Sequence, residues 1–203
     1  MSSKSIVSFQ NALTSADLLL QDLPSNGPES VLTSSYKQIR FRAHLAASVA
    51  SWEAYVEAVT EEFLLAYGKK ARKPLESALH QLLLAEQERA RGSFNTPNWE
   101  NCRTHISRYT GFDVLPLWTW PKGQLTTPIA AQQRLNEILT VRHSFAHGFS
   151  LPAFSWLEKR PTGMWLSVVV CRRVSEFLKH LSAQTDLGLE GQLQKTLGQT
   201  VTW

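Results

Sequence analysis

Apolar side chains recur at the spacing of an α-helix along most of the chain, and the longest such stretch covers residues 29–67. No glycine or proline interrupts it before Gly68, so the pattern predicts one long helix. Its bulky apolar stripe comprises Leu45, Val49, Trp52, Val56, Val59 and Phe63. A second stripe comprises Ala43, Ala47, Ala50, Ala54 and Ala58. Apolar residues on two sides predict a helix packed between neighbours at the centre of the fold.

Further helices are predicted on both sides of the long one. The first covers residues 5–22 and leads into a connector at residues 23–28, which contains two prolines and a glycine. The third begins at Pro74 and ends near Gly92, and the fourth covers residues 97–109 before Gly111 ends it. The last helix has one face made of Met164, Val168, Cys171, Ser175, Leu178 and Leu181. These patterns together predict an all-α fold.

Two segments without helical periodicity, residues 112–126 and 149–162, are predicted to be structured loops. The first is rich in tryptophan, proline and glycine, and its Trp118 and Trp120 are expected to pack onto the core. An exposed tryptophan in these loops, Trp156 included, could instead stack on unpaired nucleic-acid bases.

The most economical packing of these elements is an up-and-down helical bundle. We predict a single domain over residues 1–203, with its core at about 30–185. From about residue 186 the chain is polar and contains several glycines, which indicates a loosely held tail.

Residues 127–148 form the predicted helix with the clearest ends. Thr127 can cap its amino terminus, Pro128 suits the first helical position, and Gly148 can adopt the left-handed conformation that ends a helix. The predicted apolar face comprises Ile129, Leu135, Ile138, Leu139 and Phe145. The final turns also contain Arg142, His143 and His147, a concentration of polar chemistry that marks the candidate functional site.

Composition narrows the class of protein. Of the 203 residues, 43% are hydrophobic and 19% charged, which is typical of a globular domain. The net charge of +4 suits an anionic partner without identifying one. No run of about 18 apolar residues could span a membrane and the amino terminus has no signal-peptide core, so a cytoplasmic location is expected. The two cysteines fit no disulfide framework.

Several chemistries lack the residues they need. His143 and His147 are four apart, as in a zinc-binding HExxH helix, but Ser144 occupies the position of the catalytic glutamate. Arg142 would repel a cation, and no spacing indicates a third ligand, so no metal site is predicted. Ser144 also lacks the glycine-flanked elbow of a nucleophilic serine, and the absence of a glycine-rich phosphate loop disfavours nucleotide hydrolysis. We therefore expect no cofactor.

Cleavage of a phosphodiester is the chemistry that the remaining residues favour. An imidazole can take or give a proton near neutral pH, and a guanidinium can hold two phosphate oxygens at once. Arg142 and His147 are five residues apart, which places their side chains about 140° apart around a regular helix. They can converge if the helix unwinds at Gly148, if the arginine curls round the helix, or if a second subunit completes the site.

The segment Arg142-His143-Ser144-Phe145-Ala146-His147 resembles the R-x4-H motif of HEPN-domain ribonucleases. Upstream, residues 47–57 resemble the long-helix signature of the RiboL-PSP-type HEPN group, and the resemblance covers about residues 30–185. It implies an α-helical bundle that dimerises so that two motifs face one cleft. It also implies a metal-independent endoribonuclease in a toxin–antitoxin, abortive-infection or other antiviral system, with RNA as substrate and an antitoxin as a possible partner.

On this resemblance, His147 is the general base or acid and Arg142 stabilises the charge that develops on phosphorus. His143 would be the polar support residue, and Glu53 would face the same cleft. Two alternatives stay open. His147 could simply cap its helix while Arg142 is a surface cation, or the domain could bind RNA or a protein partner without cleaving. Glu53, Glu57 and Glu61, spaced every four residues, are otherwise expected to form a solvated strip.

Overall fold

The computed structural model of the chain describes residues 2–21, 31–69, 74–90, 94 and 96–198. The connector predicted at residues 23–28 lies outside these residues, as does Gly92. The helices are α1 (Lys4–Asp17), α2 (Val31–Gly68), α3 (Pro74–Ala90), α4 (Trp99–Thr110), α5 (Pro128–Ala146) and α6 (Val168–Leu197). Within the described residues the strands are β1 (Glu158–Arg160) and β2 (Gly163–Trp165), which pair as a hairpin. The predicted all-α class is confirmed.

Helix α2 is central, as predicted, and contacts each of the other five helices. Its bulky stripe is buried throughout, and Trp52 at its middle is fully enclosed. The Trp52 ring lies 5.7 Å from that of Tyr55 and 5.8 Å from that of Trp118 in the first loop. Burial of these large rings supplies much of the apolar stabilisation of the bundle.

The alanine stripe of α2 is less buried than the bulky stripe. Ala43, Ala50 and Ala54 are exposed and Ala47 and Ala58 are half-buried, so the rest of the described chain covers this side of the helix only in part.

Helix α5 has the predicted ends. The Thr127 hydroxyl accepts a hydrogen bond from the amide of Ala130, and Pro128 occupies the first turn. One member of its predicted apolar face is wrong, because Ile129 is 73% exposed. Six residues separate Ile129 from the buried Leu135, which rotates the two side chains about 120° apart.

The start of the last helix also differs from the prediction. Met164 and Trp165 belong to β2, so the second loop contains a hairpin and α6 begins only at Val168. Two local features cause this arrangement. Gly163 takes a φ of 128°, which permits the hairpin turn, and the Ser167 hydroxyl caps α6 by accepting from the amide of Val170.

The loosely held tail predicted from residue 186 is wrong over its described part. Helix α6 continues to Leu197, and Leu189 and Leu193 are buried one helical turn apart. Asp186 is also buried, and its carboxylate accepts hydrogen bonds from the backbone amide and the hydroxyl of Ser3. The far end of α6 is therefore packed against the start of α1.

Gly188 shows why the glycines after residue 186 do not end the helix. A Cβ at this position would lie 2.5 Å from Leu117 and 2.7 Å from Phe112, so glycine lets α6 approach the first loop closely. Here a glycine inside a helix marks tight packing and no break in the helix. Among the described helices, none is both long enough and apolar enough to cross a membrane.

Candidate functional site

The candidate site lies at the carboxyl-terminal end of α5. The last helical residue is Ala146, His147 is the carboxyl-terminal cap, and Gly148 takes a left-handed φ of 74°. The amide of Gly148 donates to the carbonyl of Phe145, and the amide of Phe149 donates to that of Ser144. This pair of bonds is the Schellman pattern, which satisfies the terminal carbonyls and turns the chain sharply.

The turn gathers aromatic and imidazole rings at the helix end. The ring centroids of His143 and His147 are 4.2 Å apart, and that of Phe149 lies 6.1 Å from His147. All three side chains are exposed. Two imidazoles that can exchange protons with a bound molecule are thus presented side by side to solvent.

Arg142 is exposed as well, and its charge is felt by Glu53 on α2. Burial raises the pKa of the Glu53 carboxyl and neighbouring Glu57 raises it further, whereas Arg142 acts in the opposite direction. Since all three members of the glutamate strip are half-buried, the expectation of a solvated strip is wrong. Glu53 instead lies where α2 and the end of α5 meet.

An arginine of α2 also lies near the end of α5. The Arg42 guanidinium lies 6.0 Å from the centre of the Phe145 ring, at the last turn of α5. Arg42 is not among the predicted site residues, although its spacing from Glu53 gives a signal. Arg42 and Glu53 are eleven residues apart, which is close to three full helical turns, so they share one face of α2.

The structure thus brings the predicted site residues together in two pairs. His143 lies against His147, and Arg142 interacts electrostatically with Glu53. Within the described part of the chain, no hydrogen bond, ion pair or ring contact joins Arg142 to His147. The angular separation expected from their spacing is therefore not closed by a direct contact inside one copy.

The other histidines belong to separate environments. His44 is fully buried, and its Nε2 lies 3.0 Å from a carboxylate oxygen of Asp17 and 3.1 Å from the Ser175 hydroxyl. His105 hydrogen-bonds to the Thr60 hydroxyl between α2 and α4. Across the residues that the structure describes, no three histidine, cysteine or carboxylate side chains are grouped so that they could hold a metal ion.

Neither cysteine offers a reactive thiol. Both Cys102 and Cys171 are buried, and burial raises the pKa of the Cys171 thiol to about 12. Burial likewise raises the pKa of Cys102 well above its ordinary value. A thiol that stays protonated at neutral pH is a poor nucleophile and a poor metal ligand.

Comparison with known families identifies the chain. The model of the RiboL-PSP-HEPN family matches residues 11–161. This chain belongs to the RiboL-PSP-type HEPN family. The matched region of this HEPN protein contains α2 with Glu53 and the whole of α5 with Arg142, His143 and His147, and it ends before α6. No curated protein and no solved structure matches the chain.

The predicted membership of the HEPN family is confirmed, and the matched region includes residues 47–57 and 142–147. HEPN domains are associated with nuclease or other RNA-related functions, which gives the exposed cluster a general context. The individual roles of Arg142, His143, His147 and Glu53 remain predictions.

Proposed function

We propose that this HEPN protein is an endoribonuclease that cleaves RNA by attack of the ribose 2′-hydroxyl, without a metal ion. The observation that carries the proposal is the exposed end of α5. There Arg142, His143 and His147 lie on one turn-and-a-half of helix, with the two imidazole rings 4.2 Å apart. A proton carrier and a permanent cation are the two groups that this transesterification requires.

The proposed reaction assigns one task to each residue. The 2′-oxygen forms a bond to phosphorus, and the bond from phosphorus to the 5′-oxygen breaks. The 2′-hydroxyl loses a proton and the leaving 5′-oxygen gains one. His147 carries out one of these two transfers and solvent water the other, and Arg142 neutralises the charge on the non-bridging phosphate oxygens. His143, in contact with the His147 ring, supports its orientation. The products carry a 2′,3′-cyclic phosphate and a 5′-hydroxyl.

The proposal includes a homodimer whose two motifs line a shared cleft. It is supported by the lack of a direct contact between Arg142 and His147 in the described part of one copy. It is also supported by the partly uncovered side of α2, because the exposed Ala50 and Ala54 flank Glu53 in the sequence. Small side chains let two helices approach closely, so α2 is suited to pack against α2 of a second copy.

The biological setting that we propose follows from the family. An RNA-cutting HEPN protein of this kind would act in the cytoplasm as a toxin or antiviral-defence effector, restrained by an antitoxin or another inhibitor protein. The alternative is a non-catalytic HEPN module that binds RNA or a protein through the same exposed cluster.

Incubation of the purified protein with RNA tests the proposal. Wild type should cut, whereas Arg142→Ala and His147→Ala should not, although both should keep the helical circular-dichroism signal because the two side chains are exposed. Arg172→Ala, which removes an exposed arginine of α6, is the charge-matched control and should cut normally. Binding of RNA by a wild type that never cuts would favour the non-catalytic module.

A further inference from the structure

A polar cavity lies away from the R-x4-H motif, where α5 and α6 meet the two loops. Its volume is about 450 Å³, within the range of roughly 300–1,000 Å³ that is usual for small-molecule sites. Its principal lining side chains are Trp120, Lys122, Arg134, Trp156, Arg173 and Glu176. Three cations and two indole rings in one cavity differ from the scattered basic residues elsewhere on the surface.

The charges in and around the cavity do not cancel. The Nε of Arg134 lies 3.3 Å from a carboxylate oxygen of Glu137, and the ammonium of Lys122 lies 3.8 Å from one of Glu176. Arg173 forms no ion pair with any described residue, so three cations face two carboxylates. A net positive charge remains, and it is centred on an exposed guanidinium.

Arg134 and Arg173 are also close enough to repel one another. The pKa of Arg134 is lowered first by burial and further by the charge of Arg173, although Glu137 opposes both effects. Two guanidinium groups that line one cavity attract a dianion between them. A phosphate monoester supplies that charge, and its oxygens match the planar donors of arginine.

The aromatic side of the cavity is closely packed. The Arg134 guanidinium lies 5.3 Å from the centre of the Trp156 ring, and the Phe154 ring is nearly parallel to that of Trp156. Trp120 and Leu125 exchange backbone hydrogen bonds around a short turn. The Gly123 backbone packs against the Trp120 ring so closely that a Cβ would lie 2.0 Å from it. This wall is therefore shaped before any ligand arrives.

The Trp156 side chain lines the cavity, whereas its indole N–H is buried and has no hydrogen-bond partner among the described residues. The accessible part of this residue is therefore its ring. Guanidinium planes and indole rings are surfaces on which nucleobases stack.

We propose that this cavity binds one nucleoside phosphate unit. The phosphate lies between Arg173, Arg134 and Lys122, and the base lies against Trp156. Two sources share this chemistry, a free nucleotide and a nucleotide of a bound RNA strand. The second source rests on the proposed ribonuclease function. Arg134 precedes Arg142 by eight residues on α5, or about 12 Å along the helix axis, so one strand could reach both.

Two probes distinguish these sources, adenosine 5′-monophosphate and a short single-stranded RNA with uncleavable 2′-O-methyl riboses. Calorimetry measures binding of the nucleotide, and fluorescence anisotropy measures binding of the labelled RNA. Arg173→Gln should weaken binding of at least one probe by about tenfold, the usual worth of a charge-assisted hydrogen bond. Arg172→Gln removes the same charge from the adjacent exposed position, outside the cavity, and should change affinity by less than about twofold.

The outcomes separate the two sources from failure. Weaker binding of the nucleotide alone assigns the cavity to a free ligand, and weaker binding of the RNA alone assigns it to the strand. Equal affinity of wild type and Arg173→Gln for both probes would overturn the proposal, and so would equal losses in Arg172→Gln and Arg173→Gln. None of these measurements depends on cleavage. A protein that binds nucleotide in this cavity but does not cut RNA would refute only the ribonuclease.

Discussion

Glu53 on α2 lies within range of the charge of Arg142 on α5, although no ion pair or hydrogen bond joins these two described residues. Arg142 offsets part of the rise in the pKa of Glu53 that burial and Glu57 produce. The carboxylate is half-buried and the guanidinium is exposed, so the carboxylate attracts an arginine that remains open to a ligand. We interpret Glu53 as a positioning residue for Arg142.

The first prediction follows from that pair. In Glu53→Gln, kcat for RNA cleavage should fall about tenfold while KM stays close to wild type, because a less constrained guanidinium loses transition-state contacts rather than ground-state binding. The melting temperature should not fall, since burial disfavours the charge that the substitution removes. Glu88→Gln, an exposed glutamate on α3, is the control. An unchanged kcat in Glu53→Gln would remove Glu53 from the site.

The second prediction concerns assembly. If Arg142 of one copy acts with His147 of the other, mixing the inactive Arg142→Ala and His147→Ala proteins should restore activity. Half of the dimers would then be mixed and each would contain one intact site, giving about a quarter of wild-type activity. Sedimentation should show the dimer in both variants. Wild-type activity in a monomer, or a mixed sample that stays inactive, would contradict the composite site.

Local chemistry made much of the fold predictable. The bulky stripe of α2 and the ends of α5 at Thr127 and Gly148 were predicted correctly, because periodicity and capping act over a few residues. The proximity of Glu53 to Arg142 depends on how two distant helices pack, which neither segment specifies alone. The sequence could suggest that Glu53 faces the cleft only through the resemblance to HEPN proteins.

The wrong predictions at the two ends of α6 also arise because a local pattern does not specify contacts with distant residues. The glycines near the end of α6 are local signs of a break and therefore predict a tail. Gly188 is instead required by Phe112 and Leu117, more than 70 positions earlier. The apolar pattern at Met164 and Trp165 runs without interruption into α6 and therefore predicts a helix, although both residues belong to β2. The Ser167 cap and the turn at Gly163 set the actual boundary.

A third prediction tests the end of α6. Leu189→Ala should lower the free energy of unfolding by about 2 to 5 kcal/mol, because it leaves a cavity at a fully buried position. Leu187→Ala makes the same change at a side chain that is 64% exposed, and should shift stability by no more than about 0.5 kcal/mol. Urea titration of both variants measures the difference. Equal, small effects would mean that this end of the helix is not packed.

A fourth prediction concerns pH. Burial and, to a smaller extent, the charge of Arg108 lower the pKa of His105 to about 4. In the unfolded chain the imidazole is protonated below about pH 6.5, whereas in the folded chain it stays neutral until about pH 4. The free energy of unfolding is therefore highest above pH 6.5 and decreases as the pH falls toward 4. The loss due to His105 is at most about 3 kcal/mol. His105→Gln should reduce this acid loss in urea titrations at several pH values, whereas an unchanged loss would contradict the assignment.

The central claim is that the end of α5 cleaves RNA through the 2′-hydroxyl, with His147 and Arg142 and without a metal. The most direct test is mass spectrometry of the fragments that purified wild type produces from RNA in excess EDTA, with His147→Ala treated in parallel. Wild type should yield fragments with 2′,3′-cyclic phosphate and 5′-hydroxyl ends, and His147→Ala should yield none. If EDTA abolishes cleavage and zinc or manganese restores it, His143 and His147 are metal ligands and the proposed chemistry is wrong.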